Sequence, residues 1–255
     1  MPKYKIYTII ALVLMTLGFT IPVIGFHGMP DRIKAGQEVP AYAETIWNFY
    51  TKIQHKNHLL PDDVKGDLSK MIERGAEITM PSLPVWSIVL SAPQYPQEAF
   101  PNGIPLFIHV DGYGGDVGEM NTLNHYIGMY PVEYGGNTER AISPHYLLIS
   151  TLCMLAFLYY NGRGNSLLMI LPIIAWVFFL SAWAGWLYWY GHNMQDWGAF
   201  TIKPFMPTAL GEGKVAQFTT SSYPDIGFWV MIAMSVLSIL AIFSKRKYLR
   251  EKESE

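Results

Sequence analysis

Four long apolar runs, separated by polar stretches of very unequal length, organise this chain. They cover residues 4–26, 144–160, 166–190 and 224–243. A helix needs about 20 mostly apolar residues to cross a bilayer, with a range of about 17–25. The first, third and fourth runs meet that length. The second is marginal and is taken as a span because the third needs a return path. Asp, Glu, Lys and Arg are missing from all four cores, and Asp225 stands at the entry to the last. The pattern predicts a polytopic α-helical membrane protein with four transmembrane helices and a small α+β outer domain. Its divisions are a transmembrane anchor (1–27), an outer domain (28–143), a transmembrane helical hairpin (144–190), an outer loop (191–223), and a last helix with a basic tail (224–255).

Within the first polar stretch the period changes. Residues 40–60 place Ile46, Trp47, Phe49, Tyr50 and Ile53 at helical spacing, between Pro40 at the start and Pro61 at the end. A second short helix over 62–74 presents Val64, Leu68, Met71 and Ile72, and Gly75 closes it. These two form an expected helical hairpin, on which His55 and His58 are read as solvent-exposed rather than as a metal pair. From Pro81 onward the runs 85–90 and 104–110 are short, rich in Val, Ile, Phe and Trp, and bounded by Pro, Gly and Asn, as strands are. A small sheet packed against the helices is expected. The following Asp111-Gly-Tyr-Gly-Gly-Asp-Val-Gly118 touches the phosphate-cradling GxGxxG pattern, but its third glycine falls one position late. It reads as a flexible loop using glycine's freedom at positive φ, with no helix beginning there. Asp111, Asp116 and Glu119 offer oxygens to Ca²⁺, at a spacing unlike the EF-hand loop.

Basic residues orient the spans. Lys3 and Lys5 precede the first, Arg163 lies between the second and third, and Lys245, Arg246, Lys247, Arg250 and Lys252 follow the fourth. Placing these in the cytoplasm puts 28–143 and 191–223 outside, with both termini inside a cell (inner or cytoplasmic) membrane. Trp183, Trp186, Tyr188, Trp189 and Tyr190 then meet the outer interface, where amphipathic rings settle. All seven histidines fall on the outer side. The first run lacks a small-residue cleavage site after its apolar stretch and reads as an uncleaved anchor rather than a signal peptide. The outer stretch 28–143 carries 8 basic and 14 acidic residues, which disfavours nucleic acid as a partner and suits cations or a basic carrier protein. The single cysteine, Cys153, lies in a span. That removes disulfide frameworks, CxxC redox pairs and covalently attached haem. A transporter is disfavoured by span cores without ionisable residues, and no GxSxG supports serine hydrolysis.

Two blocks carry a resemblance: Ala92-Pro-Gln-Tyr-Pro96 with Leu123-Asn-His-Tyr-Ile-Gly-Met129, and Tyr190-Gly-His-Asn-Met194 with Tyr223-Pro-Asp-Ile-Gly227. Over roughly 82–135 and 186–230 the chain resembles small polytopic membrane proteins encoded beside nitrous oxide reductase of the secretory-pathway type. It departs from them by the apparent insertion 28–80 between the first span and the Ala-Pro-Gln-Tyr-Pro block. The resemblance implies a membrane accessory role in maturing a copper-containing respiratory enzyme or supplying it with electrons, without catalysis of its own.

The residue chemistry keeps several readings open. His109, Met120, His125 and Met129 fall within 21 positions, and His192 and Met194 head the second outer segment. Imidazole and thioether form a soft donor set suited to Cu(I). The expected site is His125, Met129 and His192, with His109, Met120 and Met194 as neighbours. Equally, methionines fill gaps in membrane proteins, and a histidine beside Asn and Tyr is often a hydrogen-bonded structural residue. His145 and His192, at the outer ends of the second and third spans, could ligate haem b axially or line a quinol pocket beside Trp189 and Tyr190. A purely structural subunit, packing its aromatic spans against other membrane or outer-face proteins of a complex, is the third reading.

Overall fold

The computed structural model describes residues 1–26, 45, 82–91, 100, 102–199, 202–215 and 217–254. The expected helical hairpin over 40–74, His27, His55, His58 and the block 92–96 lie outside the described residues. The described chain has four helices long and apolar enough to cross a membrane, spanning Lys3–Gly25, Asn137–Tyr159, Asn165–His192 and Ile226–Glu253, together with a small antiparallel sheet.

The first span opens as α1 (Lys3–Met15), passes through a π-helical turn at Thr16–Thr20, and ends as α2 (Ile21–Phe26). A π turn widens the backbone and leaves carbonyls available to outside donors. The Leu83 amide donates to the Gly18 carbonyl at 3.1 Å. Gly18 suits that approach, since a Cβ there would stand 3.0 Å from the Leu83 side chain.

Strands β1 (Trp86–Ser91), β2 (Ile104–Ile108), β3 (Tyr113–Gly115), β4 (Gly211–Val215) and β5 (Phe218–Pro224) form one sheet in the order β3-β2-β1-β5-β4. Ile104, Leu106 and Ile108 are buried while Pro105 and Phe107 are less so, the period-2 alternation of a one-sided sheet. Two strands come from the second polar stretch, so the sheet joins both segments that flank the span hairpin. The stretch read as a flexible loop supplies β3, with Gly115 at φ +84°, and α3 (Val117–Tyr126) begins directly after it. A short helical turn would not be expected after so many glycines. It forms because Val117, Met120 and Leu123 have the sheet's Ile104 and Leu106 to pack against.

The second span, α4 (Asn137–Tyr159), starts seven residues before the apolar run suggested. Its first turns are polar, and Pro144 lies inside the helix rather than at its start. The missing Pro144 N–H orphans the Arg140 carbonyl, and the Ser143 hydroxyl donates to it at 3.0 Å. After a 3₁₀ turn at Asn165–Met169, α5 (Ile170–His192) returns toward the sheet, and α6 (Ile226–Glu253) closes the bundle. In its most apolar stretch α5 is 11% buried, against 39–44% for the other three spans. It is therefore the long helix that leaves most of its apolar surface uncovered by the described chain.

At the end of the bundle away from the sheet, Lys245 is fully buried. Its ammonium donates to the carbonyls of Phe157 and Tyr160, the latter at 2.8 Å, and lies over the rings of Phe157 and Tyr4 at 4.3 and 5.0 Å. A cation on the last carbonyls of α4 satisfies acceptors that the helix cannot, at the negative end of its dipole. One side chain of α6 thereby ties α1 and α4 together.

The segments Leu123–Met129 and Tyr190–Met194 act as joints. Gly128 holds φ +80°, and a Cβ there would meet the Gln195 carbonyl at 2.5 Å. The Gln195 amide donates to the Gly128 carbonyl (2.7 Å) and the Ala199 amide to that of Tyr126 (2.8 Å). Gly191 lies so close to the Phe205 backbone that a Cβ would overlap the carbonyl oxygen.

Two outcomes follow. Gly128→Ala should lower the unfolding midpoint in detergent, with about 1–2 kcal/mol from the left-handed backbone alone and more from the collision with Gln195. Lys245→Met, which keeps chain length but strips two carbonyls of their donor, should cost about 2 kcal/mol or more, read by the same melt.

Candidate functional site

Beneath the sheet, between its buried face and the spans, lies a cavity of about 490 Å³. Ile88, Leu106 and Ile108 form its roof, as alternation along β1 and β2 requires, while Phe178, Trp183 and Trp186 of α5 wall one side. Met15 and Phe19 from the first span and Met231 and Met234 from α6 also reach it. Apolar and aromatic side chains dominate. The polar exceptions are few, and three of them are unusual.

His109 follows β2 and is 4% exposed. Its Nδ1 stands 2.8 Å from the Ser82 carbonyl, which can only accept, so Nδ1 carries the proton. The Ser82 hydroxyl, itself donating to Asp111 at 3.0 Å, lies 3.3 Å from the same nitrogen. Nε2 is then a bare lone pair, buried, with no hydrogen-bond partner among the described residues. Burial lowers the His109 pKa to about 4, against the smaller opposing effect of the Ser82 hydrogen bond, so the ring is neutral at physiological pH.

Glu139 and Arg140, in the first turn of α4, line the same cavity. The Trp186 indole donates to Glu139 Oε1 at 3.0 Å, while Oε2 is buried without a partner among the described residues. Arg140 donates to the Glu133 carbonyl (2.5 Å) and to Asn137, and lies 5.1 Å from the Tyr113 ring centre. Its Nε likewise has no partner among the described residues. The Tyr113 hydroxyl donates to the Gly135 carbonyl at 2.8 Å. Burial, partly offset by Arg140, raises its pKa to about 12. Tyr190 locks the same loop, accepting from the Gly135 amide at 2.6 Å and contacting the Pro131 and Val132 carbonyls at 2.9 and 2.8 Å.

The residues singled out in the sequence divide between this cavity and the surface. His109, Met120 and Met129 line the cavity and are buried. His125 is exposed and stacks on Trp197 at 5.9 Å. His192 is exposed too, stacked on Tyr188 at 3.9 Å with Nδ1 2.8 Å from the Tyr188 carbonyl. Trp189 packs on Tyr130 (5.3 Å), and neither it nor Met194 is among the cavity-lining residues. His145 lies in the third turn of α4, because that helix starts early. Tyr190 meets Gly135 and Trp186 meets Glu139 across the helices. His145 is six residues beyond Glu139, about 9 Å along the axis, whereas His192 lies past Tyr190 in the opposite direction, so the two do not share a level. Among the described residues no three His, Cys, Asp or Glu side chains cluster to hold a metal ion, and Asp111, Asp116 and Glu119 form no such group.

Ser82, Glu139 and Arg140 were not singled out by sequence reasoning. The adjacent Glu139-Arg140 charges just ahead of an apolar run were the available signal. Nothing in the sequence marked Ser82. The chain matches no protein-family profile, no curated protein and no solved structure.

Because its folded pKa is depressed, His109 favours the folded state above about pH 6.5 and loses that contribution as pH falls toward about 4. The parent should lose stability across that window more steeply than His109→Leu, by at most about 1.36 kcal/mol per pH unit. Parallel slopes in detergent melts would contradict a buried neutral ring.

Proposed function

We propose that this chain is a non-catalytic membrane subunit or accessory protein of a respiratory complex, and that its cavity holds a lipid-soluble redox molecule of the quinone class. The observation that carries the ligand reading is the cavity. Small-molecule sites are concave, mostly apolar, about 300–1,000 Å³ in volume, with a few placed polar groups. An apolar space of this size beside the spans forgoes much dispersion energy if unfilled. The respiratory setting rests on the motif resemblance. The sheet lies on the outer side of the membrane in this reading, because Lys3, Lys5, Arg163 and the basic stretch of α6 gather at the opposite end.

A second reading keeps copper. His109 Nε2 is an oriented, neutral imidazole donor, and the thioethers of Met120 and Met129 line the same cavity. A histidine whose other nitrogen donates to a backbone carbonyl is held as metal ligands usually are. This moves the Cu(I) proposal from His125 and His192 to His109.

Protein purified from its native membrane should yield a lipophilic redox compound near one per chain on solvent extraction and mass spectrometry. Recovery of bulk phospholipid alone would sink the quinone reading. Metal analysis of the same sample under reducing conditions decides the second, which falls if copper is absent. A reporter fused after residue 255 should stay on the cytoplasmic side.

A further inference from the structure

The ligand reading above leaves open which redox form the cavity takes, and the unpartnered polar groups of the described residues that line it bear on that. His109 cannot offer a proton from Nε2, because its single proton is committed to the Ser82 carbonyl. The ring is 4% exposed, lines the cavity, and keeps Nε2 without a partner among the described residues. Glu139, a residue that lines the same space, carries a second buried acceptor without a partner among the described residues, Oε2. The Tyr113 and Tyr190 hydroxyls, which could have donated, are engaged with the 131–135 loop. The N–H of Arg140 Nε, without a partner among the described residues, is met by the oxygen of a hydroxyl as well as by a carbonyl, so it favours neither redox form.

An unmatched buried acceptor discriminates by chemistry. A ligand hydroxyl satisfies it, whereas a carbonyl oxygen brings lone pair against lone pair and leaves both desolvated. A quinol presents hydroxyl donors on a flat ring. Its oxidised quinone has the same shape and presents carbonyl acceptors. Aromatic walls from Phe178, Trp183 and Trp186 suit a planar ring over a flexible chain.

We propose that the cavity is a quinol site selective for the reduced form, with His109 Nε2 accepting the hydrogen bond from a quinol hydroxyl. This rests on the ligand reading given above. Ser82 and Asp111 are positioning residues, fixing the tautomer that leaves Nε2 free to accept. No electron transfer is part of the proposal.

The test is calorimetric titration of the full-length protein in nanodiscs under argon, with a decyl-substituted benzoquinol and its quinone as probes. The quinol should bind about tenfold tighter than the quinone, the ratio expected for leaving one buried acceptor unmatched. In His109→Leu that ratio should fall toward unity, because the quinol loses its acceptor and the quinone is relieved of the opposed lone pair. Ala182→Phe, which fills the cavity from α5 without touching His109, should remove saturable binding of both forms. A long-chain alkanol should not displace the quinol. Saturable binding without redox preference in the parent, a preference surviving in His109→Leu, or displacement by the alkanol would each overturn the quinol assignment while leaving the cavity occupied. No saturable binding of either form, or undiminished binding in Ala182→Phe, overturns the ligand reading itself. The parent comparison needs no variant and stands even if His109→Leu fails to fold.

Discussion

Three consecutive residues, Leu83 to Val85, fasten the sheet to the spans by backbone hydrogen bonds. The Leu83 amide reaches the π turn of the first span at Gly18, and the Pro84 carbonyl takes the Gly227 amide at 2.8 Å. Val85 accepts from Asp225 at 3.0 Å and donates to the Ile108 carbonyl at 2.7 Å. Each contact satisfies a group that neither a helix nor the sheet ladder would otherwise pair. Gly227 permits the approach, since a Cβ would stand 2.6 Å from the Pro84 oxygen. Ser82, just before them, presents its carbonyl to His109. Fold and site thus share one anchor: whatever displaces 82–85 also releases the imidazole proton from its acceptor.

That anchor explains why a cavity persists next to it. Trp86, immediately after the segment, fills the near side, packing on Phe179, Trp183 and Phe228 with ring centres 5.6–6.0 Å apart and donating to Ser222 at 2.8 Å. Farther along the sheet the roof is made of the aliphatic Ile88, Leu106 and Ile108, and Tyr190 and Trp186 tie α5 to Gly135 and to Glu139 of α4. Interiors otherwise pack at crystal-like density. Here the separation is set by backbone and side-chain hydrogen bonds at the edges, so the walls cannot collapse inward.

Much of this architecture was legible in the order of apolar and polar residues. Hydropathy located the four long apolar helices, and short runs rich in Val, Ile, Phe and Trp located β1 and β2 within a residue or two. The failures have specific causes. Asn137 to Ser143 is polar yet helical, and the Ser143 hydroxyl rather than an amide repairs the gap at Pro144, which sequence periodicity does not register. Strands β4 and β5 read Gly-Glu-Gly-Lys-Val and Phe-Thr-Thr-Ser-Ser-Tyr-Pro, too polar to signal burial. β5 is a strand because β1 offers it an edge, and β4 because β5 in turn offers one. The site was legible only as a pool of histidines and methionines. Which of them faces inward depends on contacts between segments more than 25 residues apart, such as Ser82 with His109.

The histidines inside the two motif blocks sit on the outer surface of the joints those blocks make. Gly128 and Gly191 allow two backbones to touch, and His125 and His192 stack on Trp197 and Tyr188 beside those contacts. His109 belongs to neither block, yet it is buried, fixed in one tautomer and open at one nitrogen. A short motif is recognisable when close packing demands particular small residues at fixed spacing, and such demands are strongest where segments meet. A ligand site makes weaker demands on local sequence, because its parts are gathered from strands, turns and spans far apart in the chain. The motifs therefore mark how the two segments are joined, and the buried His109 lies apart from them, in the wall of the space that joining encloses.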